Sequence, residues 1–112
     1  MGKISKNNRY AAHQELLKLV MLAFQKMFPN GRIYEQHVGL FFTKNGAPVK
    51  IGKKGQADLW AMTEGRLIFI EIKSGNARQT KEQKQWEITV KKCGHEYYVI
   101  RSVDDLISLQ KR

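Results

Sequence analysis

The chain has little cysteine and little proline: Cys93 is the single cysteine, and only two prolines occur among 112 residues. One cysteine excludes an intramolecular disulfide framework and a zinc site built from several thiolates. We therefore expect a protein of a reducing compartment, the cytoplasm, in which Cys93 is buried and inert.

Long apolar runs and acidic side chains are also scarce. No run approaches the roughly 18 apolar residues needed to span a bilayer, and no signal-peptide pattern opens the chain, so we expect no membrane association. Ten Asp and Glu oppose twenty Lys and Arg, which gives a formal net charge of +10 and a pI of about 9.9. This excess is typical of proteins that bind polyanions, and nucleic acid is the first candidate. An acidic membrane surface is the second, which the lack of a long apolar run and of a signal peptide disfavours.

Length and hydrophobic periodicity predict a single α/β domain over residues 1–112, in which residues 1–9 form a flexible basic arm or the lead-in to a helix. Apolar positions with helical spacing alternate with short segments rich in β-branched and aromatic residues. The predicted elements are a helix over residues 10–28, strands over 32–43 and 48–51, a hairpin over 58–73, a helix over 81–92, a strand over 95–101 and a short helix over 103–110.

The hairpin is the most informative segment. A two-residue loop at Glu64-Gly65 fixes the register of its strands, and counting outward places Asp58 opposite Glu71. Side chains alternate along a strand, so Lys73 projects from the same face as Glu71. The sequence thus predicts two facing carboxylates with a lysine beside them.

Two facing carboxylates repel each other unless a positive charge compensates them. A hard divalent cation is one solution, since Mg²⁺ binds carboxylate oxygens and retains water molecules for hydrolysis. The alternative is a ladder of salt bridges among Asp58, Glu71 and Lys73 at a solvated hairpin end.

An ordered series of motifs resembles the PD-(D/E)XK nucleases, and most closely their virus-type replication-repair (VRR) nuclease domains. The resemblance extends in order from about residue 52 to 106. It rests on Gly55-Gln56-Ala57-Asp58-Leu59, Ile70-Glu71-Ile72-Lys73-Ser74 with the preceding Gly65-Arg66, Glu82-Gln83-Lys84-Gln85-Trp86, Gly94-His95 and residues 99–106. It departs from the family at Ala57, where relatives have Pro, and at Glu35-Gln36-His37, where relatives have an Arg-Asn pair.

The resemblance implies a restriction-endonuclease-like core of order α-β-β-β-α-β, a mixed sheet flanked by helices, and Mg²⁺- or Mn²⁺-dependent DNA hydrolysis. Asp58, Glu71 and the Ile72 backbone carbonyl would hold the metal, and Lys73 would position the attacking water and stabilise charge at the phosphate. Glu15 would extend the metal site from the first helix, and Gln83 would support catalysis from the second.

Several of these residues also have purely structural interpretations. Glu15 borders an apolar stripe, where a Glu is usually at the surface. Gln83 is the third residue after Thr80, so its side chain can instead close a capping box. We expect the three histidines to be surface or structural residues, although His37 could approach DNA, and we expect core packing rather than base stacking for three aromatics: Trp60, Phe69 and Trp86.

Two groups of basic residues flank the predicted hairpin mouth and are expected to contact the DNA backbone. The first group precedes Asp58 and the second surrounds the start of the second helix. They are Lys44, Lys50, Lys53 and Lys54, followed by Arg78, Lys81 and Lys84.

Stand-alone members of the resembling family act as homodimers on branched DNA, whereas the version within the Fanconi-associated nuclease is a monomer. The resemblance therefore implies a homodimeric endonuclease of branched DNA such as Holliday junctions, of the kind used in phage biology or DNA repair, in a bacterial or phage-infected cell. Leu40-Phe41-Phe42 or Leu106-Ile107 are candidates for the interface or for the monomer core. The alternative function is non-catalytic or RNA-directed nucleic-acid binding.

Overall fold

A computed structural model describes residues 6–37, 39–52 and 55–110. It contains two α-helices, six strands and a C-terminal 3₁₀ helix. These are α1 (Lys6–Met27), β1 (Arg32–Glu35), β2 (Gly39–Phe42), β3 (Pro48–Ile51), β4 (Leu59–Thr63), β5 (Arg66–Ile72), α2 (Lys81–Lys92), β6 (Glu96–Ile100) and the 3₁₀ helix (Val103–Gln110).

Four strands form the main sheet in the order β1-β4-β5-β6. The β1-β4 and β4-β5 pairs are antiparallel and the β5-β6 pair is parallel, so the sheet is mixed. Strands β2 and β3 pair only with each other, as a separate hairpin between β1 and β4. Leaving out that hairpin, the order is α1-β1-β4-β5-α2-β6, which confirms the predicted α-β-β-β-α-β core.

Strand β5 lies at the centre of the molecule. Ile68, Ile70 and Ile72 are buried in a cluster that includes residues of α1 and of the 3₁₀ helix. On the other face, the Phe69 ring contacts the Trp86 ring of α2 edge-on, with centroids 6.2 Å apart. Both faces of β5 are therefore covered, as expected for a strand that is apolar on both sides.

The hairpin between β4 and β5 has the predicted register, with Met62 opposite Leu67 and Leu59 opposite Ile70. Its turn residues both have positive φ, 21° at Glu64 and 75° at Gly65. Two-residue loops of this kind match the right-handed twist of the paired strands. The loop therefore fixes the register from which the facing carboxylates were predicted.

Residues 6–9 belong to α1, in agreement with a lead-in to the helix, because extending an established helix adds a backbone hydrogen bond per residue; residues 1–5 lie outside the described part. Two local predictions are corrected. The single strand predicted over residues 32–43 is two strands, β1 and β2, which pair in different sheets. Cys93 is exposed rather than buried, because it caps the end of α2 beyond the turn that packs on the sheet.

Candidate active site

The candidate active site lies where β4 begins and β5 ends. Asp58 immediately precedes β4, and one further step of the observed register places it opposite Glu71. Its Oδ2 atom accepts a hydrogen bond of 2.7 Å from the backbone N–H of Ile72. Lys73 follows β5 directly, and its Nζ atom lies 3.8 Å from Oε2 of Glu71. The fold thus brings the two predicted carboxylates, Ile72 and the predicted lysine to one end of the hairpin.

Glu71 is the fully buried acid at the centre of this site, with a relative exposure of 0%. Its Oε1 atom accepts hydrogen bonds from the Tyr97 hydroxyl at 2.5 Å and from Nε2 of Gln79 at 3.2 Å. Its Oε2 atom is buried without a hydrogen-bond partner among the described residues. Burying a carboxylate without satisfying both oxygens is costly, so the arrangement is suited to a bound cation.

Tyr97 holds its proton firmly in this environment. Burial and the hydrogen bond to Glu71 raise the pKa of the Tyr97 hydroxyl well above its ordinary value of 10.0. The hydroxyl therefore stays a donor to Glu71 across the physiological pH range. This fixes one oxygen of the carboxylate and leaves the other directed toward Lys73.

Gln79 connects Glu71 to a second carboxylate. The same Nε2 atom that donates to Glu71 donates to Glu87 at 3.0 Å, and Glu87 also accepts a hydrogen bond of 2.6 Å from Lys91. Burial acts to raise the pKa of Glu87, but the hydrogen bonds from Lys91 and Gln79 outweigh it and lower the pKa. Gln79 thus lies between two carboxylates and orients Glu71 from the loop before α2.

The residue of α1 that reaches the site is His13. Its Nε2 atom lies 3.6 Å from Oδ2 of Asp58, and both side chains are 29% exposed. The neighbouring Asp58 carboxylate, working against burial, raises the pKa of His13 above its ordinary value of 6.5. A signal for this contact is present in the sequence, because His13 leads the i, i+4, i+7, i+11 stripe formed by the buried Leu17, Val20 and Phe24.

Glu15 and Gln83 do not join the described contacts. Glu15 is exposed and follows His13 by two positions, which on a helix is a rotation of roughly 200°. Gln83 closes the capping box of α2: its Oε1 accepts from the Thr80 N–H at 2.8 Å, and its own N–H donates to the Thr80 hydroxyl. The capping box predicted at Thr80 is therefore confirmed.

Tyr97 and Gln79 were not predicted from the sequence as residues of the site. The reach of Tyr97 to Glu71 depends on the parallel register of β5 and β6, in which Glu71 lies opposite Val99. Gln79 lies in a loop, where the sequence has no hydrophobic periodicity to indicate which way a side chain points.

Within residues 6–37, 39–52 and 55–110, no three His, Cys, Asp or Glu side chains are grouped closely enough to hold a metal ion.

The predicted basic residues are distributed over several elements. Arg78 and Lys81 flank the start of α2, after the loop that follows Lys73, and Lys84 lies one turn further; all three are exposed. Lys44 is exposed in the turn between β2 and β3. The side chain of Lys50 in β3, and the whole of Lys53 and Lys54, lie outside the described part.

The aromatic predictions are met in part. Phe69 and Trp86 are half-buried and pack against a cluster of the buried residues Ala57, Val90 and Tyr97. Trp60 is also half-buried, and its ring stacks on Tyr34 of the edge strand β1, with centroids 4.8 Å apart.

Of the residues considered for an interface, Leu106 is buried, while Ile107 and Phe42 are 58% and 66% exposed. The side chains of Leu40 and Phe41 lie outside the described part.

The mixed sheet flanked by helices, with the acidic pair at one hairpin end, defines an α/β fold of the restriction-endonuclease-like class. One similar solved structure is a VRR_NUC domain with 20% sequence identity and a TM-score of 0.63, covering 87% of this chain and 95% of that chain. Another is a VRR_NUC domain protein with 23% identity and a TM-score of 0.61, covering 89% of this chain and 85% of that chain. The chain therefore has the fold of a VRR_NUC domain.

No protein-family model and no curated protein matches the chain. None of the helices in the described part is long and apolar enough to cross a membrane.

Proposed function

We propose that the protein is a divalent-metal-dependent DNA endonuclease of the VRR type, within the PD-(D/E)XK class. The observation that carries this proposal is Glu71, a completely buried carboxylate with one oxygen fixed by Tyr97 and Gln79 and the other without a hydrogen-bond partner among the described residues. A structural role alone does not explain such an arrangement. The attraction between Lys73 and Glu71 at 3.8 Å offsets little of the free energy that burying their charges costs. The likeness to VRR_NUC domains supports the same interpretation.

The residues present fit a Mg²⁺ or Mn²⁺ ion. Asp58, Glu71 and the Ile72 carbonyl would supply the oxygen donors that these ions prefer, and the register of β4 and β5 brings the three residues to one end of the hairpin. When bound, the ion lowers the pKa of a coordinated water and neutralises charge on the phosphate.

The protein's own contribution is orientation and charge. The Ile72 N–H fixes Oδ2 of Asp58, and Tyr97 and Gln79 fix Oε1 of Glu71, so both carboxylates are preorganised. Lys73 places a positive charge next to Glu71, where it can orient the attacking water and stabilise the more negative phosphorus centre. Gln79 takes the supporting role that the resemblance implied for Gln83.

Nucleic acid is the substrate that the charge distribution favours. The net charge is +10, and a groove of about 670 Å³ lies beside the site, between the start of α1 and residues 74–77. Arg9, Tyr10 and His13 line one wall of this groove. Exposed Arg78 and Lys81 come soon after the other wall, residues 74–77, in the sequence and add basic side chains that can contact a phosphate backbone.

We further propose branched DNA as the preferred substrate and a homodimer as the active assembly. One chain offers one carboxylate pair, and symmetrical cleavage of two strands requires two pairs related by a twofold axis. Of the residues predicted for an interface, Phe42 and Ile107 are exposed and could contribute apolar surface to it.

The experiment is cleavage of labelled four-way junction, flap, splayed and linear duplex DNA, and of RNA, with Mg²⁺, Mn²⁺ or EDTA. We expect metal-dependent cleavage of the branched DNAs by the wild type and none by Asp58→Ala or Lys73→Ala. Sedimentation of the same preparation measures the oligomeric state. Binding without cleavage in either metal overturns the enzyme proposal, whereas preferential cleavage of linear duplex overturns only the branched-DNA proposal.

A further inference from the structure

His13 is fixed against Asp58 by the way α1 packs. The helix is anchored on the sheet through Leu17, Val20 and Phe24, which are almost completely buried. His13 lies one turn before Leu17 on the same stripe, so its imidazole is directed at the end of the hairpin. The position on α1 that faces the candidate metal site is therefore occupied by a nitrogen donor, while Glu15 is exposed.

The spacing of His13 and Asp58 suits two ligands of one ion. Two donors that each lie about 2.1 Å from a metal are roughly 3–4 Å apart, depending on the angle between them. The His13 Nε2 and Asp58 Oδ2 atoms are 3.6 Å apart. The Ile72 N–H holds the Asp58 carboxylate in place at 2.7 Å, so neither donor has to move far to share an ion.

We propose that His13 is a ligand of the same divalent cation as Asp58 and that it makes the site select Mn²⁺ or Co²⁺ over Mg²⁺. This inference rests on the proposed function and specifies its metal. Mg²⁺ prefers all-oxygen coordination, whereas an imidazole nitrogen raises the affinity for transition-metal ions in the order Mn²⁺ below Co²⁺. His13 would add one nitrogen donor to the oxygen donors Asp58, Glu71 and the Ile72 carbonyl. In the described residues no three His, Cys, Asp or Glu side chains are grouped closely enough to hold an ion, so binding requires Glu71 to draw closer to the His13–Asp58 pair.

A competing explanation is that His13 only pairs electrostatically with Asp58. His13→Gln separates the two roles, because its amide can still donate a hydrogen bond to Asp58 but is a poor substitute for imidazole as a metal ligand. His13→Ala removes both roles. His95→Ala is the matched control, since His95 is an exposed histidine beside Gly65 and Arg66, at the opposite end of the hairpin.

The test is calorimetric titration of the full chain with Mg²⁺ and with Co²⁺, after circular dichroism has shown that each variant is folded. We expect His13→Ala and His13→Gln to weaken Co²⁺ binding by about tenfold or more while Mg²⁺ binding changes by less than about threefold. His95→Ala binds both ions as the wild type does. Pulsed electron paramagnetic resonance of the Mn²⁺ complex is expected to show coupling to a directly bound ¹⁴N nucleus, which both His13 variants lose.

The outcomes distinguish the two proposals. If the His13 variants bind both ions like the wild type while Asp58→Ala loses binding, the histidine inference is overturned and the metal site stands. The same conclusion follows if His13→Gln retains full Co²⁺ affinity. If Asp58→Ala binds both ions as tightly as the wild type, the metal site itself is overturned.

Discussion

Removing one hydroxyl group, by Tyr97→Phe, tests how the candidate site holds its central carboxylate. The Tyr97 hydroxyl donates to Oε1 of Glu71 at 2.5 Å, and Glu71 is completely buried. A buried hydrogen bond to a charged acceptor contributes about 1.5–3 kcal/mol, so we expect the free energy of unfolding to fall by that amount. At about 4 °C per kcal/mol for a chain of this size, the melting temperature falls by about 6–12 °C.

Tyr97→Phe should also weaken metal binding. Only Gln79, at 3.2 Å, then holds Oε1 of Glu71, so the carboxylate can turn toward Lys73. Loss of a residue that orients a metal ligand typically costs about 10–100-fold in metal affinity or activity. We expect a loss of that size in Mn²⁺ affinity, measured by calorimetry, together with the loss of stability.

The matched control is Tyr98→Phe on the same strand. Tyr98 donates to Glu96 at 2.7 Å, away from the site, so this variant should lose stability and retain metal affinity. The reasoning is refuted if Tyr97→Phe binds the metal as tightly as the wild type, or if Tyr98→Phe loses the same affinity.

The free energy of unfolding should also depend on pH in the alkaline range. Tyr97 keeps its proton in the folded state, so its contribution to that free energy is complete below pH 10 and declines as the pH rises further.

Three other changes test separate parts of the structure. Thr80→Ala removes the cap of α2 and should lower stability by about 1 kcal/mol in chemical denaturation; an unchanged midpoint contradicts the cap. Arg66→Ala breaks two hydrogen bonds of 2.7 Å to a carboxylate and should cost about 1.5–3 kcal/mol with metal affinity retained. In metal-free protein, nuclear magnetic resonance should find a His13 pKa above 6.5 that falls in Asp58→Asn; a pKa equal in both proteins contradicts the contact.

The hairpin was predictable because its information is local. A two-residue turn sets the register, and the register alone places Asp58 opposite Glu71. The capping box at Thr80 is equally local, and it explains why Gln83 is engaged at the helix start. The hairpin register and the capping box, both set by local sequence, are therefore confirmed.

The contacts that orient the carboxylates were not predictable in this way. Tyr97 and Gln79 meet Glu71 only through the parallel pairing of β6 and the course of the loop before α2. Which residue of α1 faces Asp58 depends on the exact rotation of the helix about its axis, which the buried stripe sets. The resemblance implied a role for Glu15, but packing places His13 next to Asp58 and leaves Glu15 exposed.

Single-turnover cleavage of a labelled four-way DNA junction in Mn²⁺, by the wild type and by Glu71→Gln, tests the nuclease site most directly. This substitution keeps the shape of the side chain and removes the charge that would hold the cation. We predict cleavage by the wild type and a rate lower by at least about 100-fold in the variant, with both proteins folded. Equal rates in the two proteins, or no cleavage by either, would contradict the assignment of this hairpin as a nuclease centre.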